Sequence, residues 1–336
     1  MAEPGKESGP VLTTRFTTLI GVRHPIVLGG MGPPSTSPEL VGAVSNAGGL
    51  GILGCSGLRA TQIQERAARI RELTSAPFGL NLLLFLSSDE AVAAILAERP
   101  AVASFAWAHV DQPLEPIFAR AKAAGSLVMY MASAVPEARR AAAAGADVIV
   151  AQGTEGGGHV GVMATMPFVP QAVDAVAPVP VLAAGGIADG RGLAAALMLG
   201  ADGVLLGTRF LATVEAPIPD AVKQVIVASD GHDTDLTEIP DIASGLVWPG
   251  AFARTWRNGF LREWAGREWE LRQRQPEVAA VIAAAREAID VDRMPILFGQ
   301  DAGLIAAIEP VAELIERIVR DARDSIDSRV AAELSG

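Results

Sequence analysis

Eight short apolar runs alternate with Ala-rich helical stretches between Pro25 and about Phe210, and each run is bounded by Gly, Pro or polar residues. The runs are Pro25–Gly29, Leu50–Leu53, Phe78–Leu82, Val102–Phe105, Leu127–Met131, Val148–Ala151, Val181–Ala184 and Val204–Leu206. Near-continuous apolar character is the mark of a strand buried on both faces, as in a parallel sheet. Helical patterns lie between them at Pro38–Asn46, Thr61–Leu73, Asp89–Glu98, Pro136–Ala144 and Gly192–Leu199. Eight strands alternating with helices favour a closed ring over an open doubly wound sheet, so the expected fold is α/β, a (β/α)8 TIM barrel. An internal echo supports repeated βα units. EARRAAAAGADVIVAQG and RGLAAALMLGADGVLLG share a helix, a GAD turn and a strand, with Gly145 and Gly200 suited to the left-handed residue that ends a helix.

Such a barrel takes about 250 residues, and the chain has 336. The pattern changes after Thr213. Glu215–Pro249 is rich in Pro, Asp, Thr and Gly and reads as an irregular loop, while Arg254–Gln275 holds three of the five tryptophans. Glu277–Ile289 and Pro310–Asp324 have amphipathic helical patterning. The expected organisation is a barrel over residues 1–213 with a flexible N-terminal lead-in, MAEPGKESGPVLTTRF, which has no apolar h-region. Residues 214–336 form an added C-terminal helical lobe, with a C-terminal helix packed on the barrel and the lobe covering the mouth of the site.

Composition narrows the partners. Half of the residues are hydrophobic and 19% are charged, enough apolar content for a large core. The net charge is −11 and no basic run interrupts it, which argues against nucleic acid or an anionic membrane surface. No apolar run reaches the roughly 18 residues of a membrane span. The single cysteine, Cys55, excludes an intrachain disulfide framework and a Cys-rich metal site, and fits a reducing, cytoplasmic setting. No two histidines have spacing suited to a metal.

In a parallel barrel, function collects where strands end and loops begin. Four such places stand out. GGIADGRG (Gly185 to Gly192) and LGTRF (Leu206 to Phe210) follow the last two strands, where backbone amides and a short helix start form the recurrent phosphate site of the fold. Paired glycines there let amides approach an anion without interference from Cβ. AQGTEGGGHVG (Ala151 to Gly161) brings backbone close to something flat or anionic and then presents His159, an acid, base or donor near neutral pH. Gln152 is placed to bond a ring heteroatom or the loop backbone, and Glu155 reads as a solvated or salt-bridged carboxylate rather than a second acid/base group. GGMGPPST (Gly29 to Thr36) offers close approach and the soft side chain of Met31. Of the other histidines, His24 sits on the barrel's bottom side in a structural position. His109, beside Trp107, either lines the pocket or packs. His232 lies in a polar, solvated loop. Cys55 is a small buried filler.

With these motifs in place the chain resembles the nitronate monooxygenase family, formerly 2-nitropropane dioxygenases. HPIVLGGM, VSNAGGLGILG, PFGLNLLL, AQGTEGGGHVG and AAGGIADGRGLAAALMLGADGVLLGTRFLAT carry the likeness, from about Thr14 to Thr213 and loosely beyond. The resemblance implies non-covalent FMN, with phosphate contacts from Gly185, Gly186, Gly207 and Thr208, and Ala184 as the small residue before the glycine pair. It sets Gly30 and Met31 against the isoalloxazine, Asn81 on its polar edge, and Gln152 and Gly158 along the ring. His159 then corresponds to the histidine that takes a substrate proton or orients the substrate. Gly30 stands where many relatives have proline, and Met131 where some have lysine.

Two enzymatic readings follow. One is oxidation of alkyl nitronates with O2. The other is reduction of a quinone or an activated C=C bond with NAD(P)H as electron donor, since reductases on the same FMN barrel share these signatures. A third reading is a barrel that binds a phosphorylated metabolite without redox chemistry. The expected partner is a small-molecule substrate, and the resemblance also implies a homodimer.

Overall fold

A computed structural model describes residues 12–334. The eight expected runs form the eight strands of a closed parallel barrel: β1 (Ile26–Leu28), β2 (Leu50–Gly54), β3 (Phe78–Leu83), β4 (Val102–Ala106), β5 (Leu127–Ala132), β6 (Val148–Gln152), β8 (Val181–Ala184) and β9 (Gly203–Leu206). The ring shuts where β9 pairs with β1, in the register Val27 to Leu205. β7 (Gly158–Val160) lies outside it, in an antiparallel sheet of order β10–β11–β7 with β10 (Thr234–Thr237) and β11 (Phe252–Trp256). Gly145 and Gly200 have φ of 98° and 91°, the left-handed helix ends expected from the GAD echo.

Alternation along the strands sorts side chains between two cores. Val148 and Val150 of β6, and Leu182 and Ala184 of β8, pack inside the barrel, while Ile149, Ala151, Val181 and Ala183 face the surrounding helices. By the same period Asn81, Met131, Gln152 and Ala184 end on the inner face at the C-terminal mouth. At the opposite end α1 (Arg15–Ile20) closes the bottom: buried Phe16 joins Leu50, Val102 and Val148 of the inner core. Arg15 pairs with Asp202 at 2.6 Å and Thr14 caps the helix. Thr14 to Phe16, expected within the flexible lead-in, are instead ordered in this helix and its cap, because an apolar knob is needed where the barrel would otherwise be open. The first 11 residues of the lead-in lie outside those described.

The ring of helices is completed by α15 (Val311–Leu334), whose Leu314, Ile315, Ile318 and Val319 are buried in the barrel's outer core. The lobe is thus inserted between β9 and α15. It has its own core of Ile226, Phe260, Leu261, Trp264, Leu271 and Phe298, among others. The stretch expected as an irregular loop, 215–249, contains α10 (Asp220–Ala228), β10 and α11 (Ile239–Ser244). Short elements held by tertiary pairing leave little local periodicity to detect. Where the chain enters and leaves the lobe, Thr213 bridges to Glu309, and buried Arg209 donates from Nη2 to the carbonyls of Ala212 and Ala307. No described helix is long and apolar enough to cross a membrane, and no group of three or more His, Cys, Asp or Glu among the described residues is arranged to hold a metal.

Candidate active site

The glycine loops after β8 and β9 stand side by side at the mouth. Gly185 and Gly186 have φ of 97° and 73°, a backbone form that side chains with Cβ rarely adopt. A Cβ on Gly185 would lie 2.7 Å from the Gly153 carbonyl. Among the described residues the N–H groups of Gly185, Gly186 and Gly207 donate to no carbonyl or side chain, so three amides are left for an external acceptor. Gly207 precedes Thr208, the first residue of the short helix α9 (Thr208–Leu211). A Cβ on Gly207 would meet only the Met31 sulfur, at 3.5 Å. The Thr208 hydroxyl accepts from the Gly299 amide at 2.8 Å. Behind it Asp301 is buried beside Thr208 and Arg209, and burial raises its carboxyl to about 7.

Across the barrel, Gly30 and Asn81 touch so closely that a Cβ on Gly30 would sit 2.4 Å from that of Asn81. Proline there would require a different placing of the β3 end. Asn81 donates from Nδ2 to the Ser104 hydroxyl at 3.1 Å. Gln152 opposes Ala184 across β6 and β8, and its Oε1 is buried without a partner among the described residues. A buried, unpaired acceptor is costly unless a donor arrives. Met31 is half-buried between barrel and lobe, and Met131 lies on the inner wall. These residues converge on one mouth.

In the loop of three glycines, one close approach is made to the chain itself. A Cβ on Gly157 would lie 2.5 Å from the Phe298 and Gly299 backbone, so that close approach is to the lobe. Gly158, at φ 75°, faces open space. Glu155 is half-buried and forms no salt bridge among the described residues: it accepts from the Thr165 amide and hydroxyl and so caps α7 (Thr165–Val176). Buried Arg254 staples this loop to the lobe sheet, with Nε donating to the Thr154 carbonyl and Nη1 to the Thr234 hydroxyl.

His159 sits on β7 opposite Ala253 of β11. Its Nε2–H donates to Asp241 Oδ1 at 2.7 Å, and Asp241 stands on α11 of the lobe. A carboxylate only accepts, so the neutral imidazole carries its proton on Nε2 and keeps the Nδ1 lone pair for chemistry. Trp248 stacks on the ring at 3.4 Å and 8°. Asp241, Trp248 and Arg254 are absent from the residues the sequence singles out. Their one signal was a tryptophan isolated between Val247 and Pro249.

The remaining residues separate from the site. His24 is buried at the bottom, where burial and Arg23 lower its pKa to about 4. His109 is exposed, with its ring edge-on to Phe85 at 6.2 Å. His232 is exposed, and Cys55 is buried with its thiol pushed up to about 12.

Several known proteins similar to this chain are oxidoreductases by name. A (3aS,4S,5R,7aS)-5-hydroxy-7a-methyl-1-oxo-octahydro-1H-indene-4-carboxyl-CoA dehydrogenase of Rhodococcus jostii is 43% identical over 231 residues, 68% of this chain and 64% of that protein. The enzyme of the same name from Mycobacterium tuberculosis is 36% identical, over 93% of this chain and 96% of its own. The structure of FabK from Thermotoga maritima superposes with a TM-score of 0.86 at 34% identity, covering 96% of this chain and 99% of that one. The nitronate monooxygenase family model matches residues 13–91 and 86–321, and the chain belongs to that family of oxidoreductases.

Proposed function

We propose that the protein is an FMN-dependent oxidoreductase that oxidises alkyl nitronates with O2, and that His159 is its catalytic residue. The observation that carries the reading is the pairing of His159 with Asp241 at 2.7 Å beside a mouth lined by unused amides. Gly185, Gly186, Gly207 and Thr208 would hold the phosphate of the flavin, with Ala184 leaving room before the glycine pair. Gln152 Oε1 would accept from the ring's N–H edge, and Asn81, Gly30, Met31 and Gly158 would line the ring. The unpaired Gln152 acceptor and the bare glycine ends support that fit. When bound, FMN supplies the acceptor for electrons leaving the substrate carbon. Nδ1 of His159 takes the proton of a carbon acidified by a nitro group, or holds the anion already formed, and Asp241 fixes the ring that does so. Purified protein should be yellow, and a nitronate added without oxygen should bleach it.

A second reading has its own support. The two relatives above are named for oxidation of a CoA thioester, whose α-carbon is likewise acidified by its neighbouring carbonyl, and the same base would serve. A third, NAD(P)H-dependent reduction of a quinone or C=C bond, predicts rapid bleaching by NADH or NADPH instead.

A further inference from the structure

The space before His159 is filled by the protein's own indole. Trp248 lies flat on the imidazole, with Phe85 at 4.7 Å and Trp107 edge-on at 5.9 Å. Leu83 and Met131 complete an apolar wall from the ends of β3, β4 and β5. Trp107 holds a φ of 55°, a form disfavoured for a bulky residue, at the C-terminal end of β4.

Trp248 itself is poorly anchored. Its Nε1–H is buried and meets no acceptor among the described residues, a condition that opposes its remaining there. The segment carrying it lies between Gly245 and Gly250, at φ 69° and 75°, and the adjacent Val247 is 87% exposed. A flat bicyclic side chain is thus seated by stacking and apolar packing, with no hydrogen bond among the described residues, on an exposed strap.

We propose that Trp248 stands in the place of the substrate's body. The pocket accepts a planar apolar group the size of a fused bicycle, which displaces the indole, comes to lie against His159, and is selected over small substrates. This rests on the reading that His159 meets the substrate. A small nitroalkane or ketone would leave the aromatic wall unfilled after displacing Trp248, so it would not make up for the stacking that the indole gives up.

The test uses the FMN-loaded protein and 1-indanone, with cyclopentanone as the small comparison. Calorimetry should show 1-indanone binding Trp248→Ala about tenfold more tightly than wild type, and more tightly than cyclopentanone in both. Equal or weaker binding by Trp248→Ala would mean that the indole is a fixed wall, and the proposal falls. Tryptophan emission decides independently. The difference between wild type and Trp248→Phe should shift to the red when 1-indanone binds, as Trp248 leaves for solvent, and an unchanged difference overturns displacement. Neither readout needs turnover. Should His159→Asn retain full activity, the assignment of the base fails while the pocket is still measured.

Discussion

On one side of the mouth, Gly185, Gly186 and Gly207 leave the ends of β8 and β9 bare, and everything offered to a ligand is backbone from the barrel. On the other side, His159 stands on a strand outside the barrel and takes Asp241 and Trp248 from the inserted lobe. The first wall is local: each contact comes from a residue within a few positions of its strand. The second is tertiary, assembled from segments 82 and more residues apart. Backbone recognition suits a constant group such as phosphate, whereas side chains borrowed from a lobe suit a group that differs between substrates.

The variants that separate the two walls are ordered by expected effect. His159→Asn should lower kcat/KM by about 10²–10⁴ while leaving FMN bound, measured by nitronate turnover beside the flavin absorbance; loss of flavin would join the two walls into one. Gly185→Val places a side chain at φ 97° and against the Gly153 carbonyl. FMN affinity should fall on the order of a hundredfold, because the loop shifts and two backbone donors move away from the phosphate. Flavin fluorescence quenching measures it, and unchanged affinity would remove the phosphate from β8. Asp241→Asn should cost roughly tenfold to a hundredfold in kcat/KM with FMN retained, because the amide can turn the imidazole to the wrong tautomer. An unaltered rate would leave Asp241 a purely structural partner.

The smallest effect belongs to neither wall. The pKa of His24 is lowered to about 4 in the fold from an ordinary value of 6.5. Between those values the unfolded chain binds a proton that the folded chain does not, so stability is full above about 6.5 and falls as pH drops toward 4. From pH 7 to pH 5.5 wild type should lose about 1 kcal/mol of unfolding free energy more than His24→Gln, read by urea denaturation.

The barrel and its glycine wall were legible because both are written in short-range patterns: apolar runs of strand length, and glycines directly after them. Gly145 and Gly200 show how far that extends, down to single φ values. The lobe wall was not, for a physical reason. Asp241 and Trp248 gain their meaning only when α11 and the strap beyond it fold over β7, and no local period records that pairing. The glycine triplet shows the converse hazard. Gly157 is required by the chain's own Phe298–Gly299 backbone, a contact that looks the same in sequence as one made to a ligand.

The lobe's entrance and exit are joined by the Thr213–Glu309 bridge and by one guanidinium that bonds both the Ala212 and the Ala307 carbonyl. With its two stalks clasped, the insert can lengthen, shorten or be exchanged while α15 still reaches its place in the ring. The barrel then behaves as a socket and the lobe as a fitting, and grafting a relative's 214–308 segment onto this socket is a direct route to a changed substrate range.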